Sequence, residues 1–228
     1  MTLTHETTTT RVRHSRMRRA IARTVAASAA VPQYSAEVEV DTTALGETRE
    51  RLHEAGVRVS LTDLLHLAVV RALPHHPLLN ASWTDTETIV HSGVNLTFIL
   101  EVADGMLTPV IANAHSLGLH DLASRRRSLS AQALEGTLGP DELNSGTFTV
   151  SNLGAFGVRR FNAMVLPPQS AVLAVGSVTF DRMLSLTLSL DHRVVDGATA
   201  ARFLQDLRRR LEEPTWMLTD HPASEIPR

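Results

Sequence analysis

The sequence predicts one α/β domain built of two layers, and three observations support this fold class. Segments with the periodicity of amphipathic helices alternate along the chain with segments in which every second residue is apolar. The chain has 228 residues, of which 43% are hydrophobic, so it can bury one sizeable core. No internal repeat appears, and the threonine-rich start is the one low-complexity segment. This order of elements is typical of α/β or α+β domains and not of a β-sandwich.

The domain boundaries are predicted from composition. Residues 1–10 are expected to form a flexible tail, 11–218 the folded domain and 219–228 a polar C-terminal tail. The arginines and alanines that follow the first tail imitate a secretion signal, but Arg23 and Thr24 interrupt the apolar run. No apolar stretch approaches the roughly 20 residues that span a bilayer, so we expect a soluble, cytoplasmic protein that does not bind membranes.

The first half of the domain contains clear helix signals around two strands. The predicted elements are a helix over 17–30, a strand over 34–40, a helix that Asp41 or Thr42 caps and Gly56 ends, a short strand over 57–59, and a helix that starts at a capping box of Ser60 and Asp63 and stops at Pro74.

The second half contains most of the predicted sheet. The predicted elements are a long antiparallel hairpin over 96–111 with its turn at Asp104-Gly105, a helix over 121–134, a helix start at 139–142, strands over 147–150, 171–178 and 184–190, and a last helix that Pro214 ends.

Composition excludes several kinds of chemistry. The chain has no cysteine, so it has no disulfide, thiolate metal site or cysteine nucleophile. The formal net charge of -2 gives no general attraction to nucleic acid, and the arginine runs at 125–127 and 208–210 are interpreted as solvated helix faces. Neither a G-x-S-x-G motif nor a P-loop is present. We therefore expect no nucleic-acid partner and no nucleotide-triphosphate chemistry.

The candidate catalytic residue is His192, in the stretch SLDHRVVDG at 189–197. Charged residues directly after a buried strand cost free energy because they lose hydration, unless they form ion pairs or serve a function. His192 falls at a strand-to-helix turn, and histidine is the residue type whose ordinary pKa, about 6.5, suits a base at neutral pH. Asp196 follows four residues later and could cap the next helix or hold an arginine. From spacing alone, however, a hydrogen-bonded surface histidine remains the commoner outcome.

A metal site is a weaker interpretation. His192 and Asp196 supply only two ligands, with neither a cysteine nor a third histidine nearby, so a zinc site is not expected. His75 and His76 lie between two prolines, which predicts a polar turn. We therefore predict no metal.

Seven segments, in order, resemble the catalytic domain of dihydrolipoamide acyltransferases of 2-oxo acid dehydrogenase complexes. The motif Asp191-His192-Arg193-Val194-Val195-Asp196-Gly197 is similar to the family's D-H-R-x-x-D-G signature. It is preceded by RMRRAIARTVAAS, VPQYSAEVEVD, LTDLLHLAVVRAL, HPLLNASW, DGMLTPVI, GTFTVSNLGAFGV and PPQSAVLAVG, which cover residues 11–214 with the motif. The shorter H-x-x-x-D-G core also fits chloramphenicol acetyltransferase and peptide-synthetase condensation domains.

The resemblance implies a chloramphenicol acetyltransferase-like fold, with a mixed β-sheet covered by helices. It also implies homotrimers or larger trimer-based shells, with each active site between two subunits, and CoA and a lipoyl group as substrates and no covalently bound cofactor. The resemblance makes His192 the base, gives Ser151 the hydroxyl that stabilises the oxyanion, and makes Asp196 the carboxylate that holds the turn, with Arg18 as a possible partner. The expected reaction is direct thiol attack on a thioester, without an acyl-enzyme.

Departures from the family pattern leave three functions open. The sequence contains no lipoyl domain, so the first is transfer of a short acyl group, acetyl or branched-chain, to a lipoyl-domain protein in trans. The second is loading of the phosphopantetheine arm of an acyl carrier protein, and the third is an inactive trimeric scaffold. The start at Met1 and the polar end suggest a complete stand-alone chain. Residues 216–218 are either an anchor between trimers or a packed C-terminus, and the hairpin over 178–185 is shorter than the family's.

Overall fold

The structure, a computed structural model, describes residues 9–220 of the chain. Within this range the α-helices are α1 (Arg16–Ala29), α2 (Thr43–Glu54), α3 (Leu61–Ala72), α4 (Leu119–Glu135), α5 (Asp141–Asn144) and α6 (Gly197–Glu212). The strands are β1 (Gln33–Asp41), β2 (Ala81–Trp83), β3 (Thr88–Val90), β4 (Leu96–Phe98), β5 (Leu100–Val102), β6 (Gly105–Leu107), β7 (Val110–Ile111), β8 (Phe148–Asn152), β9 (Ala171–Val178) and β10 (Met183–Asp191).

Six strands form one mixed sheet in the order β1-β10-β9-β8-β4-β7. Strand β8 runs parallel to both β4 and β9, whereas the pairs β1–β10, β10–β9 and β4–β7 are antiparallel. The strand pairs β2–β3 and β5–β6 lie outside this sheet. Helices α3 and α6 pack against each other and contribute with the sheet to a single core. The predicted fold class, a mixed β-sheet covered by helices, is confirmed.

The two faces of the sheet differ in chemistry because side chains alternate along each strand. Val150, Leu173 and Leu188 belong to the apolar core shared with the helices. Thr149 and Ser151 alternate with Val150 on β8 and therefore point to the opposite face. The sheet thus has an apolar face against the helices and a face that carries small hydroxyl side chains.

Most predicted boundaries agree with the structure within a few residues. Strand β9 has the predicted bounds, the capping box of Ser60 and Asp63 is formed at the start of α3, and Gly56 follows α2 with a positive φ of 84°. Two predictions need correction.

The first correction concerns residues 57–59. They are not a strand, because the Val57 amide donates to the Leu52 carbonyl of α2 and no strand lies alongside.

The second correction concerns the long hairpin, which is confirmed in outline but divided into two parts. Strands β4 and β7 pair within the main sheet, and β5 and β6 pair separately around the turn at Asp104-Gly105. The Phe98 amide donates to the Pro109 carbonyl at 3.0 Å, but Pro109 has no amide hydrogen with which to continue the ladder. The hairpin therefore bends between its base and its tip.

The C-terminal segment packs on its own chain. Met217 is buried, and Trp216 and Leu218 pack against the core, which favours the packed C-terminus over the anchor between trimers. Asp220 forms an ion pair of 2.7 Å with Arg71. Most of the two predicted tails, residues 1–8 and 221–228, lies outside the described residues. Within residues 9–220, no helix is both long and apolar enough to cross a membrane.

Candidate active site

The turn that carries His192 is anchored by its neighbours. The Asp191 amide donates to the Ser170 carbonyl at 2.8 Å, and the His192 amide donates to the Pro32 carbonyl at 2.9 Å. The buried carboxylate of Asp191 accepts from Arg193 Nε at 2.9 Å and from Nη2 at 2.7 Å. The charged residues at the strand end are therefore paired, and the pairing fixes the backbone on both sides of His192.

Arg193 also connects this turn to the β2–β3 pair. Its guanidinium lies 4.7 Å from the ring centroid of Trp83, a cation–π contact, while it remains bonded to Asp191. The hydrogen bond to Asp191 raises the pKa of Arg193, so the guanidinium stays charged. Strand β2, which is distant in sequence, thus helps to hold the turn through Trp83.

The imidazole of His192 is exposed and has one aromatic neighbour. Its ring centroid lies 4.5 Å from that of Tyr34, with the two planes inclined at 43°. None of the side-chain hydrogen bonds formed among residues 9–220 involves the imidazole nitrogens. Both nitrogens are therefore without a side-chain hydrogen bond in the described part of the chain.

Asp196 caps helix α6. Its carboxylate accepts from the Thr199 amide at 2.7 Å, and this hydrogen bond is the largest cause of the lowered pKa of Asp196. Of the two uses predicted for Asp196, the helix cap is therefore the one formed. An ion pair with Arg18 is absent from the described part of the chain, and the arginine whose charge helps to lower the pKa of Asp196 is Arg202.

Ser151 lies near the end of β8, in the interior of the sheet. The residue is 6% exposed, and no hydrogen bond among the described residues uses its hydroxyl. The next residue, Asn152, accepts from the Gly154 amide at 2.8 Å and starts the loop over β9. A Cβ at Gly154 would lie 2.6 Å from the Gly176 carbonyl oxygen, so this close approach requires glycine. The serine therefore stands beside a tightly packed loop with a free hydroxyl.

Ser151 and His192 do not meet within one chain. The register places Ser151 opposite Ala174, and Ala174 opposite Thr187. His192 follows Thr187 by five residues. The Cα atoms of the two residues are therefore about 16 Å apart along the strand direction and about 10 Å apart across it. One chain alone cannot bring both groups to one reacting atom.

Two cavities flank the sheet near β8. One of about 510 Å³ lies between the sheet and the helices, and its lining includes Asn152, Thr62, His66 and Arg126. The other, of about 370 Å³, lies among α1, the β5–β6 pair and residues 166–169. Neither Ser151 nor His192 lines either cavity in the described part of the chain, so neither cavity is by itself the candidate active site.

His66 is the most strongly perturbed group that lines the larger cavity. It is 2% exposed, and its Nδ1 has no hydrogen-bond partner among the described residues. Burial is the main cause that lowers its pKa to about 4, and the charge of Arg126 adds to this effect. Asp63 acts in the opposite direction and is itself bonded to Arg126 at 2.6 Å. His66 is therefore neutral at neutral pH.

A metal centre finds no support in the described residues. Within 9–220, no cluster of three or more His, Cys, Asp or Glu side chains is placed to hold a metal ion. His76 instead contacts Asp206 at 3.4 Å and packs edge-on against Phe203. His76 is thus packed within the turn, whereas His75 is exposed.

With this geometry in view, comparison with known proteins identifies the family. Residues 6–219 match the family described as 2-oxoacid dehydrogenases acyltransferase (catalytic domain). The chain is 35% identical over 204 residues to the dihydrolipoyllysine-residue acetyltransferase component of the pyruvate dehydrogenase complex of Rickettsia bellii, an alignment that covers 82% of this chain and 49% of that protein. The chain belongs to the 2-oxoacid dehydrogenase acyltransferase family.

Solved structures agree with this assignment. The dihydrolipoamide acetyltransferase of Azotobacter vinelandii, in which the catalytic roles of a serine, a histidine and an asparagine were investigated, superposes with a TM-score of 0.86 at 30% identity and covers 92% of this chain and 94% of that one. The cubic core of the pyruvate dehydrogenase multienzyme complex gives the same TM-score, identity and coverage. Chloramphenicol acetyltransferase, at 15% identity, 83% and 94% coverage and a TM-score of 0.55, shares the fold alone.

The sequence predicted the strand-to-helix turn that carries His192, but not the aromatic side chains that contact this turn. Tyr34 and Trp83 lie in the segments VPQYSA and NASW, which carry the family resemblance, yet neither was predicted to contact the turn. Local pattern could reveal only that each is an aromatic residue near a strand end. Their contacts depend on pairing between distant strands.

Proposed function

We propose that this protein transfers a short acyl group between a lipoyl thioester and CoA, by direct attack of a thiol on the thioester. The chain spans about half the length of the curated relatives it matches. The observation that carries the proposal is the pair of unused reactive groups, the exposed imidazole of His192 and the free hydroxyl of Ser151, within a fold shared with dihydrolipoamide acetyltransferases. Relatives named as dihydrolipoyllysine-residue acetyltransferases support acetyl as the acyl group and a lipoyl acceptor over a carrier protein or an inactive scaffold.

In the proposed mechanism His192 is the general base. Its imidazole takes the S–H proton of CoA as the sulfur attacks the thioester carbonyl of the acylated dihydrolipoyl group. The new C–S bond forms, and the carbonyl becomes a tetrahedral oxyanion. The imidazolium then returns its proton to the dihydrolipoyl sulfur as the old C–S bond breaks. Thiols with a pKa of about 8.5 are mostly protonated at neutral pH, so such a base is worth about 10²–10⁴ in rate.

Ser151 is the proposed oxyanion donor. Its hydroxyl donates to the carbonyl oxygen as negative charge develops there, an effect typically worth about 10²–10³. Asp196 acts indirectly, because it caps α6 and so holds the turn that carries His192. The asparagine investigated in the Azotobacter enzyme lies four residues after its histidine, which is the spacing of Asp196 from His192. A carboxylate stands in this position here.

The distance between Ser151 and His192 supports an active site shared between subunits. Because the two groups are about 19 Å apart in one chain, a second copy must supply one of them. We therefore propose a homotrimer or a larger trimer-based shell, with a lipoyl-domain protein and CoA as the partners that bring the two thiols. A cytoplasmic location is part of the same proposal.

The test is acyl transfer from acetyl-CoA to dihydrolipoamide, with pantetheine as the competing acceptor. His192→Ala is expected to lower kcat by at least about 10² and Ser151→Ala by about 10². Ser116→Ala removes an exposed serine that follows β7, at the opposite edge of the main sheet from β1; it is the control and should leave kcat unchanged. Preference for pantetheine as acceptor would instead favour loading of the phosphopantetheine arm of an acyl carrier protein. Turnover independent of His192 would refute the mechanism.

A further inference from the structure

Neither of the two carboxylates near His192 forms a hydrogen bond that would set the orientation of its imidazole. Catalytic histidines are commonly oriented by a carboxylate or a carbonyl bonded to one ring nitrogen. Here the Asp191 carboxylate is occupied by both donor atoms of Arg193, and the Asp196 carboxylate accepts from the Thr199 amide. Both nearby acids are therefore committed to other partners.

Tyr34 is the side chain that packs against the imidazole. The two ring centroids lie 4.5 Å apart, which is within the range of a favourable aromatic contact. Tyr34 belongs to β1 and is paired with Leu190 of β10, two residues before His192. The Tyr34 ring thus projects from β1 and the imidazole from the turn that directly follows β10, and the two strands pair over nine residue pairs from Gln33 to Asp41. Because β1 is held by this ladder, the Tyr34 ring is a fixed surface against which the imidazole packs.

The Tyr34 hydroxyl supports the same conclusion. It is buried and has no hydrogen-bond partner among the described residues, so it does not bond to the imidazole. Burial raises the pKa of Tyr34, and the charge of Asp196 adds a smaller rise. The phenol is therefore neutral at every working pH and contacts His192 as an aromatic ring and not as a proton donor or acceptor.

We propose that Tyr34 is a positioning residue for the reaction, whose ring restricts the rotamers of His192 to those that point a ring nitrogen at the substrate thiol. This inference rests on the proposed acyl transfer. Three χ1 wells and two broad χ2 orientations give an unrestricted imidazole about six conformations. Removal of the ring should therefore lower the productive fraction by up to about sixfold, with no change in how substrates bind.

The experiment compares Tyr34→Leu with Tyr34→Phe in the acetyl-CoA and dihydrolipoamide assay. Tyr34→Leu should lower kcat about fourfold to sixfold and leave both KM values within about twofold. Tyr34→Phe keeps the ring and should stay within about twofold of the wild type in kcat. Val38→Ala removes apolar packing from the same face of β1 and is the matched control. It should leave kcat unchanged.

Crystal structures of the wild type and of Tyr34→Leu provide a second readout that does not depend on activity. One imidazole conformer in the wild type and several in Tyr34→Leu are expected. An unchanged kcat in Tyr34→Leu, an equal loss in Tyr34→Phe, or a single conformer in both structures would overturn the positioning role. Absence of His192-dependent turnover in the wild type would instead refute the proposed function, and the conformers would still test the contact.

Discussion

Asp191 and Arg193, two residues apart at the end of β10, form a bidentate ion pair with very unequal exposure. The carboxylate side chain is 2% exposed and the guanidinium side chain 35%. The buried partner depends on the exposed one, because an unpaired carboxylate in this position would lose its hydration without compensation. The pair therefore contributes to the stability of the His192 turn.

We expect Arg193→Met to lower the free energy of unfolding by about 2 kcal/mol, since it leaves the Asp191 carboxylate unpaired while it keeps the aliphatic stem. Urea unfolding at pH 7 measures this loss. Arg160→Met, which breaks the exposed Arg160–Glu37 pair, is the matched control and should cost less than about 0.5 kcal/mol. The double variant Asp191→Asn/Arg193→Met should cost less than the sum of its single variants, and strict additivity would contradict the coupling.

A shared active site predicts complementation between two inactive variants. In oligomers assembled from equal amounts of His192→Ala and Ser151→Ala chains, about a quarter of the interfaces would combine an intact serine with an intact histidine. We therefore expect about a quarter of the wild-type activity after the two variants are unfolded together and refolded. Each variant refolded alone is the control. Recovery of no activity from the mixture would show that one chain supplies both groups.

His66 predicts a loss of stability in mild acid. Its pKa is about 4 in the folded protein against an ordinary 6.5, so the unfolded chain binds the proton more tightly. The stabilising contribution is complete above pH 6.5 and is lost as the pH falls towards 4. Between pH 7 and pH 5 the free energy of unfolding should fall by about 2 kcal/mol from this group.

The measurement is urea unfolding of the wild type and of His66→Leu at both pH values. The difference between pH 7 and pH 5 should shrink in His66→Leu by that amount. His120→Gln replaces a histidine whose side chain is 75% exposed and should leave the pH dependence unchanged. An equal pH dependence in the wild type and His66→Leu would contradict the assignment to His66.

Gly176 is predicted to tolerate no side chain. A Cβ there would lie 1.9 Å from the Arg159 carbonyl oxygen, which is part of the backbone and can move only with the segment that crosses β9. Gly176→Ala should cost about 1–3 kcal/mol in thermal or urea unfolding. Gly197→Ala, where no atom lies within 4 Å of the added Cβ, is the control and should be neutral or slightly stabilising. Equal stability of the two variants would contradict the close contact.

Predictions from sequence succeeded where the signal was local. The capping box of Ser60 and Asp63 lies within one helical turn, and the apolar run over 171–178 has the composition of a central strand, so both were predicted correctly. The prediction of a strand over 57–59 was wrong. β-Branched residues favour an extended backbone, but a strand also needs a second strand with which to pair. The segment instead continues from α2 with a hydrogen bond to Leu52.

For the candidate site, too, the features that depend on local sequence were predicted and the contacts between distant segments were not. His192 was placed correctly at a strand-to-helix turn, because the alternation of β10 and the periodicity of α6 both lie beside it in the sequence. The contacts of Tyr34 with His192 and of Trp83 with Arg193 join segments more than 100 residues apart. They follow from strand register and from the position of the β2–β3 pair, which no local pattern determines.

The separation of Ser151 and His192 along the sheet has a consequence for gene dosage. If the active site is shared as proposed, chains that fold but remain dispersed contribute no catalysis. Activity would then rise steeply at the expression level where chains begin to assemble, and in proportion to the amount of chain above that level. A modest fall in expression near this threshold would remove much more activity than protein.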